Sequence, residues 1–199
     1  GEPPGSRQLA LTKRLPASGG RAAIKIVQVL SGSAGLKIEV MPETKFVPEV
    51  PHARLQFENL RISDAAVLPG DGYAMYVKPF RTVEDIYVNS AILAYLAREA
   101  RRLAWPAPWI ERTYSVLIVF EELSRQNPSV PQTHIALAGA LAIGAGLTAE
   151  ADGLWDRTPA DAAAVRWKRD RALFGVAAGA RALRTERAWE QLVGRLPTP

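Results

Sequence analysis

The stretch "PHARLQFENLRISDAAVLPGDGYAMYVKPFRTVEDI", Pro51 to Ile86, changes periodicity partway along. Its first part alternates: Leu55 and Phe57 oppose Arg54, Gln56 and Glu58, and Leu60 and Ile62 continue the pattern past a bulge. A period of two places alternate side chains on opposite faces, which predicts a strand. "LPGDGY", Leu68 to Tyr73, then breaks the alternation with a proline and two glycines. Everything after it is helical in character.

Upstream, "AAIKIVQVL" (Ala22 to Leu30) reads as a strand through Ile24, Ile26 and, with one slip, Val29. "SGSAG" is a turn. "LKIEVM" alternates, with Leu36, Ile38 and Val40 on one face and Lys37 and Glu39 on the other. These two runs predict a hairpin. "ETKFVPEVP" holds two prolines and predicts an edge or a loop. The result is a small antiparallel sheet of three or four strands over residues 22–68. Residues 1–21, rich in Gly, Pro and Ser, read as a flexible lead-in.

Downstream, residues 69–199 read as four helices. Helix one runs from about Thr82, a candidate N-cap, to Leu103, and "WPAPW" ends it. Helix two runs from about Trp109 to Gln126, helix three from about Thr133 to Ala151. Helix four starts near "TPADAAA", where Thr158 can cap and Pro159 suits the first turn. It carries Ala172, Leu173, Val176, Ala180 and Leu183 at helical spacing and extends towards Val193. Strands followed by helices predict an α+β fold, an up-and-down four-helix bundle beside a small antiparallel sheet.

The chain has 199 residues, 48% hydrophobic and 23% charged, which suits a globular protein. It has no cysteine, which excludes disulfides, thiol nucleophiles and cysteine-ligated metals. The opening "GEPPGSRQLALTKRL" has no apolar core of signal-peptide length. These two features set a cytoplasmic expectation. The longest apolar run, "IALAGALAIGAGL" from Ile135 to Leu147, has 13 residues, where a membrane span needs about 20, so it predicts a buried core helix.

Net charge is +5. From Asp161 to Arg195 eight basic residues face four acidic ones, so +4 of it lies there. Such a helix can face nucleic acid, an anionic membrane surface or a phosphorylated ligand, or it can be a solvated face. No aromatic–basic interleaving supports nucleic acid. Phosphate-cradling glycine loops and the G-x-S-x-G elbow are absent. The two histidines, His52 and His134, predict surface or capping roles rather than a metal site.

The Pro51–Ile86 stretch resembles the junction between the middle β-domain and the C-terminal helical domain of the acyl-CoA dehydrogenase family. The family pattern F-x-N/D-V/L-x-V/I is met by Phe57, Asn59, Leu60 and Ile62. Its turn is met by Val67, Leu68 and Gly70, and its link by Gly72 and Tyr73. Four predicted helices follow. Near the end, "RWKRDRALFGVAAGA" (Arg166 to Ala180) matches an R-D run leading to Y-E-G through Arg169, Asp170 and Gly179.

The resemblance implies a flavin (FAD), an acyl-CoA or carrier-bound acyl ligand, and homo-oligomers or a protein partner joined through the bundle. Its departures are equally specific. The N-terminal helical domain, the Trp-Thr/Ser segment, R-x-x-F-G and Q-x-x-x-G-G-x-G are not found. Ala178 stands where the family's base glutamate often stands, and a methyl group cannot take a proton. Glu84, in "TVED", lies near the frame of a base placed on the first helix of this domain. It can be a relocated base or a first-turn carboxylate stabilised by the helix dipole. Tyr73, Tyr76, Arg169 and Asp170 are the candidate ligand contacts, against packing and ion-pair roles. The resemblance therefore implies a non-catalytic binding or assembly module. The alternatives are a minimal FAD-dependent dehydrogenase with Glu84 as base and a site completed by oligomerisation, and a basic nucleic-acid or membrane-surface binder.

Overall fold

The computed structural model describes residues 8–14, 24–171, 173 and 178–194. The chain divides into two compact units, residues 1–79 and 80–199.

The first unit holds two antiparallel pairs. Strand β1 (Gln8–Arg14) pairs with β2 (Ile24–Leu30), from Gln8 opposite Leu30 to Arg14 opposite Ile24. Strand β3 (Leu36–Val40) pairs with β4 (Ala53–Phe57), from Leu36 opposite Phe57 to Val40 opposite Ala53. This corrects the expected β2–β3 hairpin and the single sheet. Both sides of β2 are taken: β1 occupies one, and Val67 bridges to Val27 while the Leu68 amide donates to the Ile26 carbonyl at 2.9 Å. No edge remains for β3. Residues 8–14 are likewise a paired strand, where a lead-in was expected.

"SGSAG" is a turn, and Gly35 shows why it needs glycine. Its φ is +86°, and a Cβ there would lie 2.3 Å from the Glu58 carbonyl oxygen. β4 stops at Phe57 rather than continuing through a bulge to Ile62, because Asn59 adopts φ +51° and turns the chain. In "LPGDGY" the Asp71 carboxylate accepts from the Ala74 amide at 2.8 Å and starts a π-helical turn, Tyr73–Val77.

The second unit is helical: α1 (Lys78–Arg102), α2 (Ala107–Ser124), α3 (Pro131–Trp155), α4 (Ala162–Asp170) and α5 (Ala178–Val193). Because the π-turn runs directly into α1, Thr82 is no cap. It lies inside the helix, fully buried, with its hydroxyl 3.4 Å from His134 Nε2. His134 is also buried, and the Pro128 carbonyl lies 2.9 Å from the same nitrogen, which corrects its surface reading.

The expected fourth helix is two. Thr158 belongs to the turn closing α3, its amide donating to the Trp155 carbonyl, and Asp161 caps α4 by accepting from the Ala163 amide at 2.8 Å. Of the expected apolar stripe, Leu183 is exposed, and Ala188 is a buried position on α5. Ala172 and Val176 lie outside the described residues.

The core joins Leu93 and Leu96 of α1, Phe120 of α2, Leu137, Leu147 and Trp155 of α3, and Ala164 and Trp167 of α4. "WPAPW" packs as well as breaks. Trp105 meets Trp109 and Trp155 edge-on, with centroids 5.0 and 4.9 Å apart, and Trp109 Nε1 donates to the Leu147 carbonyl at 3.2 Å. Edge-to-face pairs of this kind add roughly 0.5–1.5 kcal/mol beyond burial. α3 is long and apolar enough to cross a membrane, yet Leu137, Ala140, Leu147, Ala151 and Trp155 pack inward as the core helix expected.

Candidate functional site

Of the adjacent carboxylates on α1, the helix turns one outward and one inward. Glu84 is exposed and has no hydrogen-bond or ion-pair partner among the described residues. Asp85 is buried against α5. Arg181 Nε donates to its Oδ1 at 2.8 Å, and an Arg184 terminal nitrogen donates to its Oδ2 at 2.7 Å. Position 84 was the residue noticed in the sequence, but its neighbour carries the tertiary contact. No single-helix pattern could place Asp85 against arginines 96 and 99 residues away.

The other candidates divide between the units. Tyr73 is exposed on the π-turn, and the Tyr76 hydroxyl donates to the Pro69 carbonyl at 3.1 Å. Arg169 donates through Nε and Nη2 to both oxygens of Asp170, at 2.7 and 2.8 Å. Ala178 is the first residue of α5. Arg169 is thus closed on Asp170, and the Tyr76 hydroxyl on Pro69. Among the described residues no group of three or more His, Asp or Glu could hold a metal ion.

The basic end of the chain is partly neutralised. Lys168 pairs with Asp156 at 2.8 Å and Arg171 with Asp152 at 3.1 Å, while Arg169, Arg181 and Arg184 pair as above.

A different surface stands out. Seven exposed residues recur on α1 at alternating steps of four and three: Phe80, Glu84, Tyr87, Ala91, Ala94, Arg98 and Arg101. Phe80 is 61% and Tyr87 59% exposed, well beyond ordinary core-edge positions. That spacing is the seam of a helix that pairs with another helix. Beside its basic end lies a cavity of about 620 Å³, with Ala94, Ala97, Arg98, Arg101 and Arg102 of α1 facing Tyr114 and Leu117 of α2.

A buried carboxylate organises this end. Glu99, only 4% exposed, accepts from Arg98 at 2.7 Å and from Arg102 at 2.6 Å. Burial pushes its carboxyl up, but the hydrogen bonds from Arg102 and Arg98 outweigh it and hold the group below the usual carboxylate range. Arg102 also donates to both Asp161 oxygens at 2.9 Å, tying the end of α1 to the start of α4. That contact and the Ala163 amide hold the Asp161 carboxyl low. Arg98 reaches over the Tyr95 ring at 5.2 Å. Burial and the nearby Glu99 raise the Tyr95 phenol, against the opposing influence of Arg166 and Arg98. Arg101 makes no hydrogen bond or ion pair among the described residues.

The class this architecture defines is an α+β fold of the acyl-CoA dehydrogenase C-terminal type. Solved structures that share it include the following three. Butyryl-CoA dehydrogenase from Megasphaera elsdenii aligns at 12% identity with a TM-score of 0.69, over 91% of this chain and 55% of that one. FMN-bound TdsC from Paenibacillus sp. A11-2 aligns at 15% identity and TM-score 0.66, over 96% of this chain and 61% of that one. FkbI, for biosynthesis of a methoxymalonyl extender unit, aligns at 19% identity and TM-score 0.50, over 96% and 58%. The chain thus spans little more than half the length of these structures, and the resemblance read from its sequence holds at the level of fold. No protein-family model matches the chain, and no curated protein does.

Proposed function

We propose that the chain is a binding or assembly module built on the helical part of this fold, with the open face of α1 as its working surface. The observation that carries this reading is the seam from Phe80 to Arg101, whose aromatic and basic side chains lie in water at helix-pairing intervals. The placement of Glu84 supports it. Its carboxylate is exposed and has no described partner that would orient it against a substrate. The closure of Arg169 on Asp170 supports it too, since that guanidinium already serves a carboxylate. An acyl-CoA or carrier-bound acyl chain remains the ligand class suggested by the resemblance.

The test is a visible spectrum of the purified chain after incubation with excess FAD and desalting. The proposal predicts a colourless protein. Near-stoichiometric retained flavin, with acyl-CoA oxidation lost in Glu84→Gln, would overturn it in favour of a flavoenzyme using Glu84 as base.

A further inference from the structure

We infer that the cavity between α1 and α2 binds a small organic anion with a flat apolar body, an aryl carboxylate being the simplest example. The inference rests on the binding-module reading above and names a ligand class for the basic end of that surface. At about 620 Å³ the cavity is the size of a small-molecule site. Its lining has two characters. Arg98, Arg101 and Arg102 bring positive charge, and the remaining residues are alanines, a leucine and a tyrosine. No acidic residue lines it.

The three guanidiniums are not equivalent. Every nitrogen of the Arg102 head is engaged, Nε by Glu99 and both terminal nitrogens by Asp161. Arg98 gives Nε and Nη2 to Glu99 and lies over the Tyr95 ring, which leaves Nη1 without a described acceptor. Arg101 has no described hydrogen bond or ion pair at all. Glu99 and Asp161 therefore offset two of the three charges, and the uncompensated one is on Arg101. Arg98 and Arg102 are fixed in place by carboxylates, and Arg101 is the cation left for a ligand. The negative end of the α1 dipole favours basic residues in this last turn, but it does not account for the cavity beside them.

The rest of the lining suits an apolar body. Ala94 and Ala97 carry only methyl groups and leave room, while Leu117 and the exposed ring of Tyr114 supply apolar surface from α2. An aromatic ring packs well against a tyrosine ring or a guanidinium plane. A bare inorganic anion would leave that wall in water, and a neutral hydrocarbon would leave Arg101 unmatched. A carboxylate on a flat apolar body uses both, because the planar guanidinium fork matches a carboxylate in two parallel hydrogen bonds. A polyanion such as nucleic acid fits less well. It needs a row of free cations, and Arg98 and Arg102 are already held by Glu99 and Asp161.

The experiment is isothermal titration calorimetry of the full chain with β-naphthoate at neutral pH and low salt. Saturable binding with a Kd at or below about 1 mM is expected, which a ligand of this size reaches in a fitting pocket. β-Naphthylmethanol, the same body without the charge, should bind about tenfold more weakly or worse, and so should acetate, the charge without the body. Arg101→Met keeps the aliphatic stem and removes the charge. It should weaken β-naphthoate by about tenfold or more and leave the alcohol within about twofold. Ala94→Trp fills the cavity from an exposed position and should abolish binding of both. Circular dichroism checks the fold of each variant, and both changes are at exposed positions. No saturable binding by wild type overturns the inference. So does β-naphthoate binding that either variant leaves unchanged, or an alcohol that binds as tightly as the acid. Inorganic phosphate that displaces β-naphthoate at equal concentration would mean a plain anion site and would also overturn it. FAD retention is measured separately, so a chain that ignores β-naphthoate yet stays colourless refutes this inference and leaves the assembly reading standing.

Discussion

Replacing Asp85 with alanine should loosen the end of α5 that carries Arg181 and Arg184. Asp85 is the junction between α1 and α5: its two oxygens take one donor each from Arg181 and Arg184, at 2.8 and 2.7 Å. The side chains are 11%, 25% and 13% exposed for Asp85, Arg181 and Arg184. A hydrogen bond to a charged group is worth roughly 1.5–3 kcal/mol, and breaking a buried pair from one side costs about 3–5 kcal/mol. Arg181 can recover water, so the lower part of that range applies, about 3 kcal/mol. Glu84→Gln, one residue away, should stay within about 0.5 kcal/mol, as exposed substitutions do. Urea unfolding gives the size of the effect. Native-state hydrogen exchange gives its location, because α5 amides should lose protection before those of α2 and α3. If Asp85→Ala behaves like Glu84→Gln, or if protection falls evenly across the bundle, the clamp is not what holds α5.

Two further outcomes follow from other parts of the second unit. Glu99→Gln should destabilise the protein by about 2–3 kcal/mol at neutral pH, since a buried carboxylate with two arginine donors is lost. The folded carboxyl lies below its ordinary 4.5, so its stabilisation is present above that value and fades as pH falls towards the depressed one. The gap between wild type and Glu99→Gln in urea midpoint should therefore narrow as pH falls below about 4.5. Gly146→Ala on α3 should stabilise the helix by up to about 1 kcal/mol, because a Cβ there meets nothing within 4 Å. A loss of thermal stability in that variant would mean the outer face of α3 is covered.

Much of the fold was legible because it is written in local periodicity. The first three helices fall within four residues of their expected ends, since "WPAPW" and "NPSVP" interrupt an otherwise continuous helical pattern. The strands were found where alternation was clean, but their pairing was not. The partner of β2 is β1, seven residues within a stretch whose Gly, Pro and Ser content pointed to a lead-in. Nothing in β2 itself says that Val67 closes its second edge. The fourth helix was overextended because Thr158-Pro159 is a good local start signal, while Asp161 makes the cap.

The site followed the same division. Glu84 attracted attention through its frame, whereas the role of Asp85 depends on a contact across the bundle. The Phe80–Arg101 seam was present in the sequence at heptad spacing. Its mix of aromatic, small and charged residues matches no apolar stripe, and only the exposure of all seven at once makes it visible.

The account of the chain as a binding module is tested most directly by titrating the purified chain into FAD and following the flavin fluorescence. The account predicts no saturable change, since Arg169 is closed on Asp170 and the Tyr76 hydroxyl on Pro69. Saturable binding at near-stoichiometric occupancy would contradict it.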